Sequence, residues 1–161
     1  MQSILRPLHI IFVHNSRLLK NAVYDVNDEL AERRLNNNTN SIKFILCHLI
    51  DARYHLANLI GLIDVCPFRD LFDRIQTIED FNEYPQMNEL NASIEKISLK
   101  ISTHFEVLEE KDITKHINVK FPIEDRSVLG GITFLLEHES YHIGQIGFIR
   151  KYYGLHPLKY Y

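Results

Sequence analysis

Cysteine, glycine and proline are all scarce in this sequence, and each scarcity removes a class of protein. Two cysteines in 161 residues, Cys47 and Cys66, cannot make a disulfide framework. They read as small core residues of a protein in a reducing compartment. Six glycines and five prolines leave long segments unbroken, and no glycine-rich loop follows a strand to cradle a phosphate. No apolar run approaches the roughly 18 residues of a membrane span. The opening MQSILRPLHIIFVHNS has too short an apolar core for a signal peptide, and His9 and His14 interrupt it. Positive charge is not in excess either: the formal charge is −3, which sets nucleic acid aside as a partner, because phosphate binding wants a basic face. These absences lead us to expect a cytoplasmic protein with a single domain over 1–161, a size that also allows a sizeable core.

What remains is helical periodicity. Residues 6–23 carry Leu8, Ile11, Phe12, Leu18 and Leu19 behind a proline in the opening turn. The polar run NNNTN then reads as a loop that delivers an N-cap at Asn40 or Ser41. A second helix is expected over about 41–63, with Ile42, Ile45, Leu49, Ala52, Leu56, Leu59 and Ile63 on one stripe; it ends near Gly61, and Pro67 cannot continue it. A short helix at Thr77 to Glu83 is expected next. A third long helix follows over about 86–110, with Leu90, Ile94, Ile97, Ile101, Phe105 and Leu108. DITKHINVKFPIED suggests an extended stretch or small hairpin through Ile113, Ile117, Val119 and Phe121. Asp125 or Ser127 can cap the fourth helix, about 127–153, which Gly154 ends. Four long amphipathic helices without convincing strands predict an all-α protein, a four-helix bundle with short extra helices or a small hairpin in its connections.

The fourth helix contains HESYH, residues His138 to His142, which fits the H-E-x-x-H signature of zinc metalloproteases. Nine histidines in the chain produce about half a pair four apart by chance, so position says more than spacing. His138, Glu139 and His142 fall inside the apolar stripe of Val128, Ile132, Leu135, Leu136, Ile146 and Ile149. On the second helix His48 lies between Ile45 and Ala52 on the inward side. Three imidazoles and a carboxylate aimed into a bundle need partners, because an unpartnered buried polar group costs several kcal/mol. Histidines four apart rise only about 6 Å along a helix face, so one divalent ion can take both rings. A metalloprotease of the extended type would require glycine at 145 and histidine at 148; Gln145 and Phe148 stand there, and no acid follows Glu139. The third ligand must come from upstream. His48 fits best, and His55, two turns along the same helix, competes with it.

The pairing of NSIKFILCHLIDARYHL (residues 40–56) with HESYHIGQIGFIRKYYGL (residues 138–155) resembles the DinB-like, or YfiT-like, metalloenzyme superfamily. The resemblance implies a four-helix bundle that holds a divalent metal, zinc or nickel. One histidine comes from the second helix and two from the last, which match His48, His138 and His142. The run Tyr141 to Gln145 matches a frequent companion of the last ligand. A homodimer is implied too, and thiol-dependent chemistry in some relatives.

Three neutral histidines leave coordination positions open, unlike a closed structural zinc site. An ion there can activate water, lowering its pKa to about 7, or an external thiol. Glu139 is the expected proton acceptor, a possible general base by position or else a salt-bridge partner. Asp51 and Gln145 lie one turn from ligands and can orient a ligand, water or substrate; Tyr141 and His55 complete the neighbourhood. Arg150 and Lys151 read as a surface charge pair at the helix C-terminus. Gly130 and Gly131 cost about 1 kcal/mol each in helix propensity, which suggests close backbone packing or pocket access. The functional expectation is a metal-dependent hydrolase or thiol-dependent transferase acting on a small molecule, with a low-molecular-weight thiol as a candidate cofactor. The competing expectation is a metal-stabilised bundle that binds or dimerises without turnover.

Overall fold

The computed structural model describes residues 4–72 and 84–160. The expected helix at Thr77 to Glu83 lies outside them. Seven helices occur among the described residues: α1 (Arg6–Val23), α2 (Asp28–Glu32), α3 (Ile42–Leu59), α4 (Arg69–Phe72), α5 (Met87–Phe105), α6 (Glu110–Ile113) and α7 (Val128–Tyr152). The protein is all-helical. The one β pairing among these residues is an isolated antiparallel bridge between His116 and Ser127. There Ile117 N–H donates to Arg126 O at 2.8 Å, and Val128 N–H to Lys115 O at 3.0 Å. No described helix is long and apolar enough to cross a membrane.

Local chemistry sets the helix ends. Ser41 Oγ accepts from Phe44 N–H at 3.1 Å, and Ser127 Oγ accepts from Gly130 N–H at 3.1 Å, so each serine satisfies an amide that the first turn leaves open. At the other end, α3 and α7 close with the same device. Gly61 (φ +97°) and Gly154 (φ +76°) adopt the left-handed conformation. Leu62 N–H then reaches back to Ala57 O, and Leu155 N–H to Arg150 O, the two-bond closure that favours glycine. The closure at Gly61 is where the sequence places the helix end, although the apolar stripe runs on to Ile63, which is fully solvated. The third long helix ends early, at Phe105. α6 follows with Glu109 as its N-cap, the Glu109 N–H donating to the Asp112 carboxylate, while Leu108 still reaches the core.

Each of α1 and α3 packs against both α5 and α7, so the four long helices enclose one core. Phe12, Leu46, Leu49, Ile97, Ile101, Phe105 and Ile132 are essentially inaccessible within it. Ile11 is the exception to the α1 stripe and is exposed. Lys43 is fully buried yet lies 2.5 Å from Asp28 and 2.7 Å from Glu32, which fastens α2 to α3. Burial pulls its pKa down, but the two carboxylates outweigh burial and hold the amine charged. Asn15 ties α1 to α7 by donating to Leu136 O at 3.2 Å and Ser140 Oγ at 3.0 Å.

The glycine pair that opens α7 is a packing feature. A Cβ at Gly131 would lie 2.7 Å from the Leu59 side chain and 2.8 Å from the Phe121 ring, and one at Gly130 would lie 2.8 Å from Asp125. α7 can therefore approach its neighbours only with bare backbone there. Arg150 is not a surface cation. It is buried, donates to Ala22 O at 2.8 Å and His156 O at 3.1 Å, and pairs with Asp25. It clamps residues 154–160 back onto the end of α1. Lys151 stays exposed.

Candidate metal centre

α3 and α7 bring three histidine rings to one point. His48 Nε2 lies 3.0 Å from His138 Nε2, and His142 Nε2 lies 3.1 Å from the same atom. One ligand atom from each ring falls within 4.8 Å of the others. The rings stand nearly perpendicular to each other, with centroids 4.5 to 4.9 Å apart. Phe134, one turn before His138, stacks on that ring at 5.8 Å.

Hydrogen bonding on the far side of His142 fixes which nitrogen faces inward. Gln145 Oε1 lies 2.6 Å from His142 Nδ1, and Gln145 Nε2 donates to the Tyr141 hydroxyl at 3.0 Å. An amide oxygen can only accept, so His142 Nδ1 carries the proton and Nε2 presents a lone pair. Burial lowers all three imidazole pKa values. For His48 the fall, to about 4, comes first from burial and then from His142 and His138. His138 is lowered by burial and by His142. His142 is lowered by burial although Gln145 opposes it. All three rings are neutral near pH 7, the state a metal requires.

The triangle cannot satisfy itself. With the His142 proton on Nδ1, one proton on either His138 Nε2 or His48 Nε2 can make a directed hydrogen bond across only one of the two close contacts, and the other is left without one. A cation resolves both contacts. An ion about 2.0–2.1 Å from each nitrogen separates neighbouring ligand atoms by about 2.9 to 3.4 Å, for angles from square to tetrahedral. The two spacings to His138 Nε2, 3.0 and 3.1 Å, lie in that range. The residues present fit a divalent ion.

The other expected site residues fall in different places. His55 does not join the triangle; its ring meets Phe121 edge-on at 5.7 Å. Asp51 lies 3.3 Å from Arg69. Gln145 and Tyr141 form the hydrogen-bonded chain beside His142, and Tyr141 is largely solvated. Glu139 is 4% exposed, and its Oε1 accepts from Arg53 Nε at 2.5 Å. Arg53 also donates to Ser98 and lies over the Phe12 ring. No hydrogen bond joins Glu139 to a histidine ring. Its carboxylate is bound up with the guanidinium rather than with the triangle. Both cysteines are buried and free. Burial pushes the Cys47 thiol up to about 12, so it is no nucleophile despite its place beside His48.

Sequence reasoning missed Arg53. The signal was present: it stands three residues after Ile50 and four before Ala57, on the buried face of α3.

Fold and cluster together define a class, an all-helical protein with a three-histidine group able to hold a metal ion. Residues 2–157 match the sequence profile of the family described as Protein of unknown function (DUF1572), and the chain belongs to that family. No curated protein matches it.

Proposed function

We propose that this protein is a metal-dependent enzyme of the DinB-like type, a four-helix bundle with His48, His138 and His142 as the ligands of one divalent ion, zinc or nickel. The carrying observation is that the Nε2 atoms of His48 and His142 each lie about 3 Å from His138 Nε2, with one ligand atom from each ring within 4.8 Å of the others; a single proton serves only one of those two contacts, and one cation serves both. Membership of DUF1572, a DinB-like family, supports the same reading. A bound ion would supply Lewis acidity to activate water or an external thiol.

The chain's own residues do the rest. Gln145 holds the His142 tautomer, and Tyr141 holds Gln145. Phe134 shields the face of His138 from water. The Arg53–Glu139 pair joins α3 to α7 within the same helix pair, which supports a charge-balancing role for Glu139 over proton transfer. A small-molecule substrate and a homodimer belong to this reading as well.

Elemental analysis of chelator-free wild type, beside His48→Ala, His138→Ala, His142→Ala and His55→Ala, tests it. One ion per chain is expected in wild type and His55→Ala, with loss in the other three. Full retention in His48→Ala would remove that residue from the ligand set. A metal-free wild type that fails to take up zinc on titration would sink the proposal.

A further inference from the structure

A cleft of about 530 Å³ lies between α7 and the loop before α3, and its lining residue Gln145 hydrogen-bonds His142. That volume falls within the range of small-molecule sites. Leu35, Ile45, Phe148 and Ile149 give it apolar walls, and among the described residues its lining includes no acidic or basic side chain. Its polar groups are neutral, notably Asn38, Asn40 and Gln145.

The loop that forms one wall is held by its own side chains. Arg34 Nε donates to Thr39 O at 2.7 Å and the guanidinium also binds Asn37 O; Thr39 Oγ1 donates to Asn36 O at 3.0 Å. Asn38 N–H donates to Asn36 Oδ1 at 2.8 Å. Arg34 is thereby consumed by backbone carbonyls. The side-chain amides of Asn38 and Asn40 make no hydrogen bond among the described residues. On the opposite wall Gly144 leaves a gap, because a Cβ there would meet nothing within 4 Å. Glycine inside a helix costs about 1 kcal/mol against alanine, and here neither a close neighbour nor a positive φ requires it.

We infer that this cleft binds an uncharged ligand with an apolar body and an amide-type hydrogen-bonding group. Its occupation is felt at the histidines through Gln145, which lines the cleft and also holds His142. A charged ligand would lose its hydration without gaining a counter-charge, whereas a neutral amide exchanges water for the amides of Asn38 and Asn40. The cleft names the substrate class for the proposed metal enzyme, and the link to His142 rests on that reading.

Octanamide, octanoate and octylammonium serve as probes, with binding to chelator-stripped, nitrogen-15-labelled protein followed by amide shifts. Octanamide is expected to shift the side-chain amides of Asn38, Asn40 and Gln145, and the two charged chains to bind about tenfold more weakly or worse, a difference near 1.4 kcal/mol. Gly144→Leu, filling the gap, is expected to abolish octanamide binding while leaving metal content unchanged. Gly144→Ala, which folds more readily, is expected to weaken it. Equal binding of the charged chains, indifference to both variants, or a second copy of the chain covering the cleft in sedimentation and crosslinking overturns the inference. Zinc titration with and without octanamide separates the two readings. If octanamide binds and zinc does not, the metal reading falls and the cleft stands; an unchanged zinc affinity overturns the link through Gln145, since coupling must be reciprocal.

Discussion

His138 and Glu139 are neighbours on α7, and both reach α3, yet they make opposite kinds of buried polar centre. Glu139 meets Arg53, and the charges cancel inside the protein. His138 meets His48 and His142, three neutral rings that offer lone pairs to a common point. The first centre carries its own counter-charge, although Glu139 Oε2 and Arg53 Nη2 find no hydrogen-bond partner among the described residues. On the function proposed above, the second takes a metal ion to complete it. Two helices thus join through a closed centre and an open one, and the difference lies in whether the chain carries its own counter-charge.

Breaking the closed centre is expected to give the largest effect. Glu139→Ala strands a buried guanidinium and should cost about 3–5 kcal/mol in urea unfolding, with or without metal. Arg53→Met combined with Glu139→Leu should recover most of that loss, because two packed apolar side chains replace the pair. A cost for Glu139→Ala under about 1 kcal/mol would show that the pair is not closed as described.

The open centre should respond to metal instead. Zinc at a hundred times its dissociation constant should add about 2.7 kcal/mol to wild-type unfolding, and His48→Ala should remove that gain. Without metal, the same variant should unfold close to wild type. A smaller step sharpens the tautomer argument. Gln145→Ala should weaken zinc binding by about 10- to 100-fold, while His55→Ala leaves it unchanged.

The smallest effect concerns another closed centre, Lys43 between Asp28 and Glu32. Hydrogen bonding to Lys43 holds the Asp28 carboxyl below its ordinary value of 3.8, against the opposing pull of burial. A depressed carboxyl adds stability above its unfolded value, and the addition is lost as pH falls from 3.8 through the folded value. Asp28→Asn should therefore lessen the acid-side loss in a thermal-melt series and leave the neutral-pH metal response untouched.

Periodicity made the long helices and the triangle readable. His48, His138 and His142 interrupt apolar stripes at helical spacing, so their inward direction follows from Ile45, Leu135 and Ile146. Serine caps and trailing glycines marked three boundaries within a residue or two. Where Schellman closure at Gly61 competes with an apolar stripe through Ile63, the stripe alone misleads. Charged residues in the interior were the hardest to read. Hydrophobic patterning treats Arg53, Lys43 and Arg150 as outward-facing, and only their distant partners, Glu139, Asp28 and Asp25, reverse that. Those pairings cross 86, 15 and 125 positions, beyond what local spacing encodes.

Gly131 carries a consequence for the history of this family. The Leu59 side chain and the Phe121 ring already occupy the volume that its missing methyl would take. A lineage that acquires alanine or serine at 131 must first, or simultaneously, shift or trim the side chains at both 59 and 121. Those three sites, far apart along the chain, are expected to drift as a covarying trio rather than one by one.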